Sequence, residues 1–171
     1  MGRTGANIAV AAFLFVCLAG CNSASKHEEA ARRQQQATDG IARLRTAYNS
    51  GACQSVYDLT LAWSRSDRSR AYWVDLCTNM REKLGLWQSF RGPSSTQLEG
   101  NAALVESRVV FANGEFRMDT YWHLDGHGAQ LVGLDLYDNH GQQVLIPPMA
   151  PFWDPGRRLM DPPPRGSETS A

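Results

Sequence analysis

Three side chains that could transfer protons alternate along one predicted β-strand. Asp119, Tyr121 and His123 are spaced by two residues, so they project from the same face of that strand. A carboxylate and an imidazole there could act as general acid and base if this face lined a pocket, with Tyr57 or Asp58 approaching from a helix. The intervening residues form the more apolar face, which predicts that the polar row faces solvent: Phe116, Met118, Thr120, Trp122 and Leu124.

The four histidines do not form a metal-binding pattern. His123 and His127 are four residues apart, a spacing that brings two ligands together on a helix but separates them by about 13 Å along a strand. His27 lies in a polar N-terminal segment, and His140 lies beside Gly141 in a predicted turn. The sequence also lacks a nucleophile elbow, a phosphate-binding glycine loop and a Cys–His pair. No catalytic residue, cofactor site or metal site is therefore predicted.

The N-terminus has the pattern of an export signal. One positive charge, Arg3, precedes eleven consecutive apolar residues from Ile8 to Leu18, and the small residues Ala19 and Gly20 follow. Eleven helical residues extend about 16 Å, roughly half of the ~30 Å hydrocarbon core of a bilayer. The apolar run is therefore too short for a membrane-spanning anchor.

The tetrapeptide Leu18-Ala19-Gly20-Cys21 resembles the lipobox of bacterial lipoproteins, in which the cysteine thiol receives a diacylglycerol and a signal peptidase cleaves before it. The resemblance implies a leader at residues 1–20 and a lipid anchor on Cys21, facing the periplasm. Each buried methylene contributes about 0.8 kcal/mol, so two or three acyl chains give lasting attachment. Asn22, rather than aspartate, favours the outer membrane in the sorting pattern of enteric-type bacteria. An ordinary signal peptide with an incidental cysteine is the alternative.

Charge and composition limit the classes of partner. The 171 residues include 17 basic and 17 acidic side chains, and removal of the leader with Arg3 leaves 16 and 17, a formal charge of −1. A near-neutral domain without a basic stripe argues against nucleic acid as a partner. Residues 22–37 are polar and without an apolar stripe, which predicts a tether between the lipid and the following domain.

Apolar residues at helical spacing predict three helices between residues 38 and 84. The first has a cap at Asp39 and stops at Gly51, and the third follows a cap at Ser66 or Asp67 and ends at Gly85. The apolar stripes are Ile41, Leu44 and Tyr48 in the first helix, Cys53, Val56, Thr60 and Trp63 in the second, and Trp73, Leu76, Cys77, Met80 and Leu84 in the third.

Cys53 and Cys77 are predicted to form a disulfide. The turn between the second and third helices centres near Arg65, twelve residues from each cysteine. Equal distances from the turn of an antiparallel helical hairpin place two residues side by side, and both cysteines lie on inward stripes. In an oxidising compartment the bond would close a loop and stabilise the fold by about 3–4 kcal/mol in the chain-entropy model. Two buried free thiols are the alternative.

After Gly85 the apolar period changes to two residues, which predicts an antiparallel sheet. Asn113-Gly114 predicts a hairpin turn, and Pro93 is expected to end the first strand. On the third strand, Arg117 and Asp119 are expected to be solvated cross-strand partners. The predicted strands are residues 86–90, 103–111, 116–124 and 130–137, with a short edge strand at 142–146.

These elements divide the chain into four parts. Residues 1–20 form the leader, 21–37 the lipidated tether, 38–146 one α+β domain, and 147–171 a flexible tail. The tail contains seven of the eight prolines, which predicts disorder or polyproline-like structure because such a segment can neither join a central strand nor bury a core.

Three helices followed by a meandering sheet resemble the cone-shaped, cystatin-like superfamily typified by nuclear transport factor 2, and more closely its small secreted or lipid-anchored bacterial members of undefined function. The resemblance rests on Arg81–Gly85 running into Trp87–Phe90, on the hairpin Val109–Phe116 and on Gln130–Leu134. It implies helices packed on a curved antiparallel sheet around a conical hollow. The proline-rich tail and the lack of a recognisable catalytic pair depart from the superfamily.

The resemblance makes binding or scaffolding in the cell envelope the expected function, without enzymatic activity. The partner would be an envelope protein or a small apolar ligand, and the candidate lining of the hollow is Trp63, Trp73, Asp119, Trp122 and His123. For the tryptophans, packing in a plain core is the alternative. The alternative function is a small-molecule-binding or isomerase-like enzyme with Asp119 and His123 in the hollow.

Overall fold

The computed structural model describes the backbone of residues 7–62, 64, 68–126 and 128–148, and the side chains within these ranges from residue 25 onward. Two compact units are present, Met1–Gln35 and Gln36–Ala171. No helix in the described ranges is both long and apolar enough to cross a membrane. The chain is α+β, and its elements are α1 Asn7–Ser50, α2 Cys53–Asp58, α3 Arg70–Leu84, β1 Trp87–Glu99, β2 Ala102–Phe111, β3 Gly114–Asp125 and β4 Gly128–Tyr137.

Helix α1 extends far beyond the first predicted helix. Asp39, predicted as its cap, lies inside it, and residues 22–37, predicted as a tether, are helical as well. Glu29 forms ion pairs with Arg32 at 2.7 Å and with Arg33 at 3.8 Å, one helical turn away. Such i,i+3 and i,i+4 pairs support a helix that has no apolar stripe.

Within the described residues the strands form a four-stranded antiparallel sheet in the order β1-β2-β3-β4. The hairpin predicted at Asn113-Gly114 is confirmed, with Phe111 paired to Gly114. The prediction that Pro93 ends the first strand is wrong, because β1 continues to Glu99. Register shifts on both sides of Pro93 accommodate its missing N–H, as is typical of prolines in edge strands.

Short segments from elsewhere in the chain cover the outer edge of β4. The predicted helical stripe through Thr60 is wrong, because Thr60 forms a parallel bridge with Leu131 instead. The Leu61 N–H donates to the Leu131 carbonyl at 2.8 Å, and the Leu131 N–H donates to the Leu59 carbonyl at 2.8 Å. The predicted edge strand at 142–146 is reduced to one bridge between Gln143 and Tyr137.

The predicted disulfide is confirmed. Cys53 at the start of α2 is bonded to Cys77 in α3, with 5.5 Å between their Cα atoms. Both cysteines are buried among the other residues of the core. The predicted turn at Arg65 lies outside the described residues, and the disulfide joins the two helices by a covalent cross-link.

The boundaries of α3 are set by a cap at each end. Its N-cap is Ser69, whose hydroxyl accepts the Tyr72 N–H at 3.2 Å, and not Ser66 or Asp67 as predicted. Gly85 ends the helix as predicted, with a φ of +76° that favours glycine. A Cβ at Gly85 would also lie 2.8 Å from the Ala112 Cβ. The close contact with the β2–β3 turn is therefore a second reason for glycine at this position.

Helix α1 lies close against the sheet at Gly40. A Cβ at this position would lie 2.9 Å from Cζ3 of Trp122 and 3.1 Å from the Ala129 Cβ. The Trp122 ring is 1% exposed, and its Nε1 donates to Thr120 Oγ1 at 2.8 Å, so it has little freedom to move aside. Glycine at this position therefore fixes the distance between α1 and the sheet.

We expect Gly40→Ala to lower the free energy of unfolding by about 1 kcal/mol. The overpacking against Trp122 costs about 1–3 kcal/mol, which outweighs the gain of about 1 kcal/mol in helix propensity. Urea unfolding followed by tryptophan fluorescence measures the difference. The control is Gly92→Ala, whose added Cβ meets no atom within 4 Å. A Gly40→Ala variant more stable than the parent would contradict the packing argument.

Candidate functional site

The structure does not bring the predicted pocket residues together. Trp73 and Trp122 are buried in the main core, on the face of the sheet that the helices cover. Asp119 and His123 alternate with Trp122 along β3 and lie on the opposite face, which we call the outer face. Trp63 lies outside the described residues. The four described residues therefore do not line one cavity.

The space between the helices and the sheet is almost completely filled. A cavity in this space has a volume of about 20 Å³ and is lined by apolar and aromatic side chains, among them Tyr48, Trp73 and Trp87. Tyr48 packs edge-on against Trp87, with 6.3 Å between the ring centroids. A cavity of this size holds about one water molecule, whereas pockets for small ligands measure roughly 300–1,000 Å³. Aromatic rings thus occupy the position that the resemblance assigned to a hollow.

Asp119 and His123 also do not form a proton-transfer pair. They are separated by four residues of β3, about 13 Å along the strand. His123 pairs with Ala102 of β2 and Gln130 of β4, near one end of the sheet. Its Nδ1 is buried and has no hydrogen-bond partner in the described part of the chain.

The outer face is more buried than the sequence predicted. Asp119 is 9% exposed and Tyr121 is 2% exposed, so the prediction of a solvated row is wrong for both. The Tyr121 hydroxyl donates to Asp135 Oδ2 at 3.0 Å, and Gln143 Nε2 donates to Asp135 Oδ1 at 2.9 Å. Sequence reasoning missed Asp135 and Gln143, because no local pattern shows that the segment after β4 reaches this face.

Three carboxylates lie side by side across the outer face. Glu106 of β2 is paired with Asp119 of β3, which is paired with Asp135 of β4. Burial raises the pKa of Asp119 to about 6, and the neighbouring carboxylates Glu106 and Asp135 also raise it. The Arg117 guanidinium, whose Nε lies 3.3 Å from Asp119 Oδ1, opposes this shift. Burial and the neighbouring Asp135 also raise the pKa of Tyr121. In the described ranges, no three His, Cys, Asp or Glu side chains are grouped to hold a metal ion.

A row of arginines runs parallel to the carboxylates. Arg108 of β2 pairs with Arg117 of β3, and Arg91 of β1 extends the row beyond Arg108. Arg117 is thus opposite Arg108 across the strands, and its Nε also lies 3.3 Å from Asp119 Oδ1 on its own strand. The Arg117 guanidinium lies over the Tyr137 ring, 4.0 Å from its centroid, and Arg108 Nη1 lies 3.4 Å from Glu115 Oε1. These contacts offset part of the repulsion between like charges that face each other across strands.

A polar groove of about 590 Å³ runs along the outer face between these rows and the turn after β4. Its wall includes Glu106, Arg108, Arg117 and Tyr137. Glu106 Oε1 accepts from the Ser94 hydroxyl at 3.2 Å, and Glu106 has no ion-pair partner in the described part of the chain. The volume lies in the range of small-ligand pockets.

The turn after β4 forms one side of the groove. Asp138 Oδ1 accepts the backbone N–H groups of His140 and Gln142, each at 2.8 Å. These hydrogen bonds stabilise the carboxylate and lower the pKa of Asp138. His140 lies in this turn, as predicted, and is exposed.

Comparison with known proteins adds no relative, since no family model, curated protein or solved structure matches this chain. Cys21 lies in α1, in the part whose side chains are not described, and His127 and residues 149–171 lie outside the described residues. The lipid anchor and the proline-rich tail therefore stay predictions. Grooves of about 450 and 580 Å³ also lie along α1, and the groove on the outer face differs from them in being lined by charged side chains of both signs from neighbouring strands.

We expect the free energy of unfolding to decrease as the pH rises from 4 to 6. In this window the folded protein holds a proton on Asp119 that the unfolded chain releases, because burial raises the pKa from 3.8 to about 6. Complete titration corresponds to about 3 kcal/mol. Urea unfolding of Asp119→Asn at pH 4, 5, 6 and 7 should show a smaller decrease by about that amount. Exposed Glu99→Gln is the control, and identical pH profiles of Asp119→Asn and the parent would refute the assignment.

Proposed function

We propose that this chain is a lipid-anchored protein of the bacterial cell envelope, attached through an acylated Cys21 and facing the periplasm. The basic start, the short apolar run and the tetrapeptide ending in Cys21 support the proposal. The disulfide between Cys53 and Cys77 is consistent with it, because disulfides persist in oxidising compartments. Asn22 favours the outer membrane as the site of attachment.

The domain is proposed to be a binding or scaffolding module, not an enzyme. The observation that carries this proposal is the contrast between the two faces of the sheet. The helix-covered face leaves a cavity of about 20 Å³, whereas the outer face carries a polar groove of about 590 Å³. Charged side chains from neighbouring strands line that groove on a hydrogen-bonded sheet. A rigid, charged surface of this kind suits the recognition of a polar partner.

The domain is further proposed to belong to the cystatin-like superfamily. The order of elements supports this assignment, because helices precede an antiparallel sheet whose strands follow one another as β1-β2-β3-β4. The filled interior and the α2 helix of six residues depart from a cone of three full helices around a hollow. In this member the outer face would take over the role of binding.

We expect Cys21→Ser to abolish both lipidation and cleavage of the leader. The parent protein should incorporate a labelled fatty acid, partition into the detergent phase of Triton X-114 and have a mature mass that begins at Cys21. Cys17→Ser is the matched control, because it removes a thiol four residues away and leaves the tetrapeptide intact. Unchanged labelling and partitioning of Cys21→Ser would refute the lipid anchor.

We expect a photocrosslinking amino acid at Asn139, exposed on the wall of the groove, to capture a discrete partner in intact cells. The same probe at Glu82, exposed on α3, should give no such product. Adding Arg108→Ala should remove the Asn139 product, because a groove side chain is lost while the fold keeps its core. Capture at Glu82 and not at Asn139, or at neither, would contradict binding through the groove.

A further inference from the structure

The groove lies against two rows of opposite charge on the outer face; Arg108, Arg117 and Glu106 line it, whereas Asp119 does not. Arg108 and Arg117 form one cross-strand pair, and Glu106 and Asp119 form another on the same two strands. The two pairs are two residues apart along the strands, which separates the rows by about 6.7 Å. A ligand with charge of one sign would be attracted by one row and repelled by the other.

Both rows have bonding capacity that the described contacts leave unused. Glu106 accepts from Ser94 and has no cationic partner within the described residues. Asp119 Oδ1 is buried and accepts no hydrogen bond, although Arg117 Nε lies 3.3 Å away. The Arg108 side chain is 65% exposed, and its guanidinium is 3.4 Å from a single carboxylate oxygen.

The cross-strand arginine pair is the strongest indication of an anionic group in the ligand. Like charges directly opposite each other destabilise a sheet. A carboxylate placed between Arg108 and Arg117 would accept hydrogen bonds from both guanidinium groups and remove that repulsion. The unpaired Glu106, in the neighbouring row, offers the matching position for a cation.

Building on the proposed binding function, we infer that the groove binds a zwitterion of dipeptide length, with a free carboxylate and a free ammonium group. The carboxylate lies between Arg108 and Arg117, and the ammonium group contacts Glu106. The exposed part of the Tyr137 ring forms the wall beside Arg117. An extended peptide advances about 3.3–3.6 Å per residue, so two residues span the distance between the rows.

The test is calorimetric titration of the full-length protein in detergent micelles with alanyl-alanine. Three comparison ligands isolate each charge and the spacing: N-acetyl-alanyl-alanine lacks the ammonium group, alanyl-alanine amide lacks the carboxylate, and alanine is shorter. We expect alanyl-alanine to bind at least tenfold more tightly than each of them, and to bind more weakly as the salt concentration rises. Equal binding of the N-acetylated peptide, or no binding of alanyl-alanine, would overturn the inference.

Two pairs of variants locate the site. Arg108→Ala and Glu106→Gln should each weaken the binding of alanyl-alanine at least tenfold. Arg91→Ala and Glu99→Gln are the matched controls, because both residues are exposed on the outer face of β1 and neither lines the groove. Equal losses in the controls would overturn the placement. Failure of the titrations together with specific crosslinking from Asn139 would reject the zwitterion and leave the proposed binding function standing.

Discussion

The close approach of α1 to the sheet determines which face of this domain has room for a ligand. At Gly40 the helix backbone lies against the ring of Trp122, with no space for a side chain between them. Nine residues later the helix is held again, because Asn49 Nδ2 donates to the Trp87 carbonyl at 2.8 Å and the Trp87 N–H donates to Asn49 Oδ1 at 2.9 Å. A helix held at both points leaves almost no interior space.

Because the interior is filled, the polar side chains that could bind a ligand lie on the outer face. The helix-covered face is apolar and filled, so polar side chains of β2, β3 and β4 collect on the other side. Tyr121, Asp135 and Gln143 form a buried hydrogen-bonded floor there. Rows of opposite charge stand beside this floor, with Asp119 held in a partly desolvated position. Charges on such a floor are positioned more rigidly than those on a mobile loop, which favours selective recognition.

Local and periodic features were predictable from the sequence. The apolar stripe of α3, the hairpin after Phe111 and the disulfide follow from spacings within a few tens of residues. The burial of Asp119 was not predictable, because it depends on the sheet register, which places Glu106 of β2 on one side of it and Asp135 of β4 on the other. The continuation of β1 through Pro93 depends likewise on tertiary pairing, since the partner strand tolerates the shifted register.

The prediction for the N-terminal half of α1 was wrong for a different reason. Residues 22–37 contain no apolar stripe, so the spacing of apolar residues predicts a tether and not a helix. Ion pairs such as Glu29–Arg32 stabilise that helix without burying surface. The charged rows of the candidate site were missed because they depend on the register of the sheet. Only the register shows that Glu106 and Arg108 of β2 lie opposite charged residues of β3.

The proposed lipid anchor and the exposed charged groove are physically compatible within one protein. A tenfold loss for each charge corresponds to about 1.4 kcal/mol, so a small zwitterion held by two or three such contacts binds weakly. A millimolar dissociation constant corresponds to about 4 kcal/mol. Attachment to a membrane compensates for such weakness, because a tethered module meets ligands fixed to the same surface at an effective concentration on the order of millimolar. Anchoring through Cys21 would thus make a weak, rapidly reversible site sufficient for function.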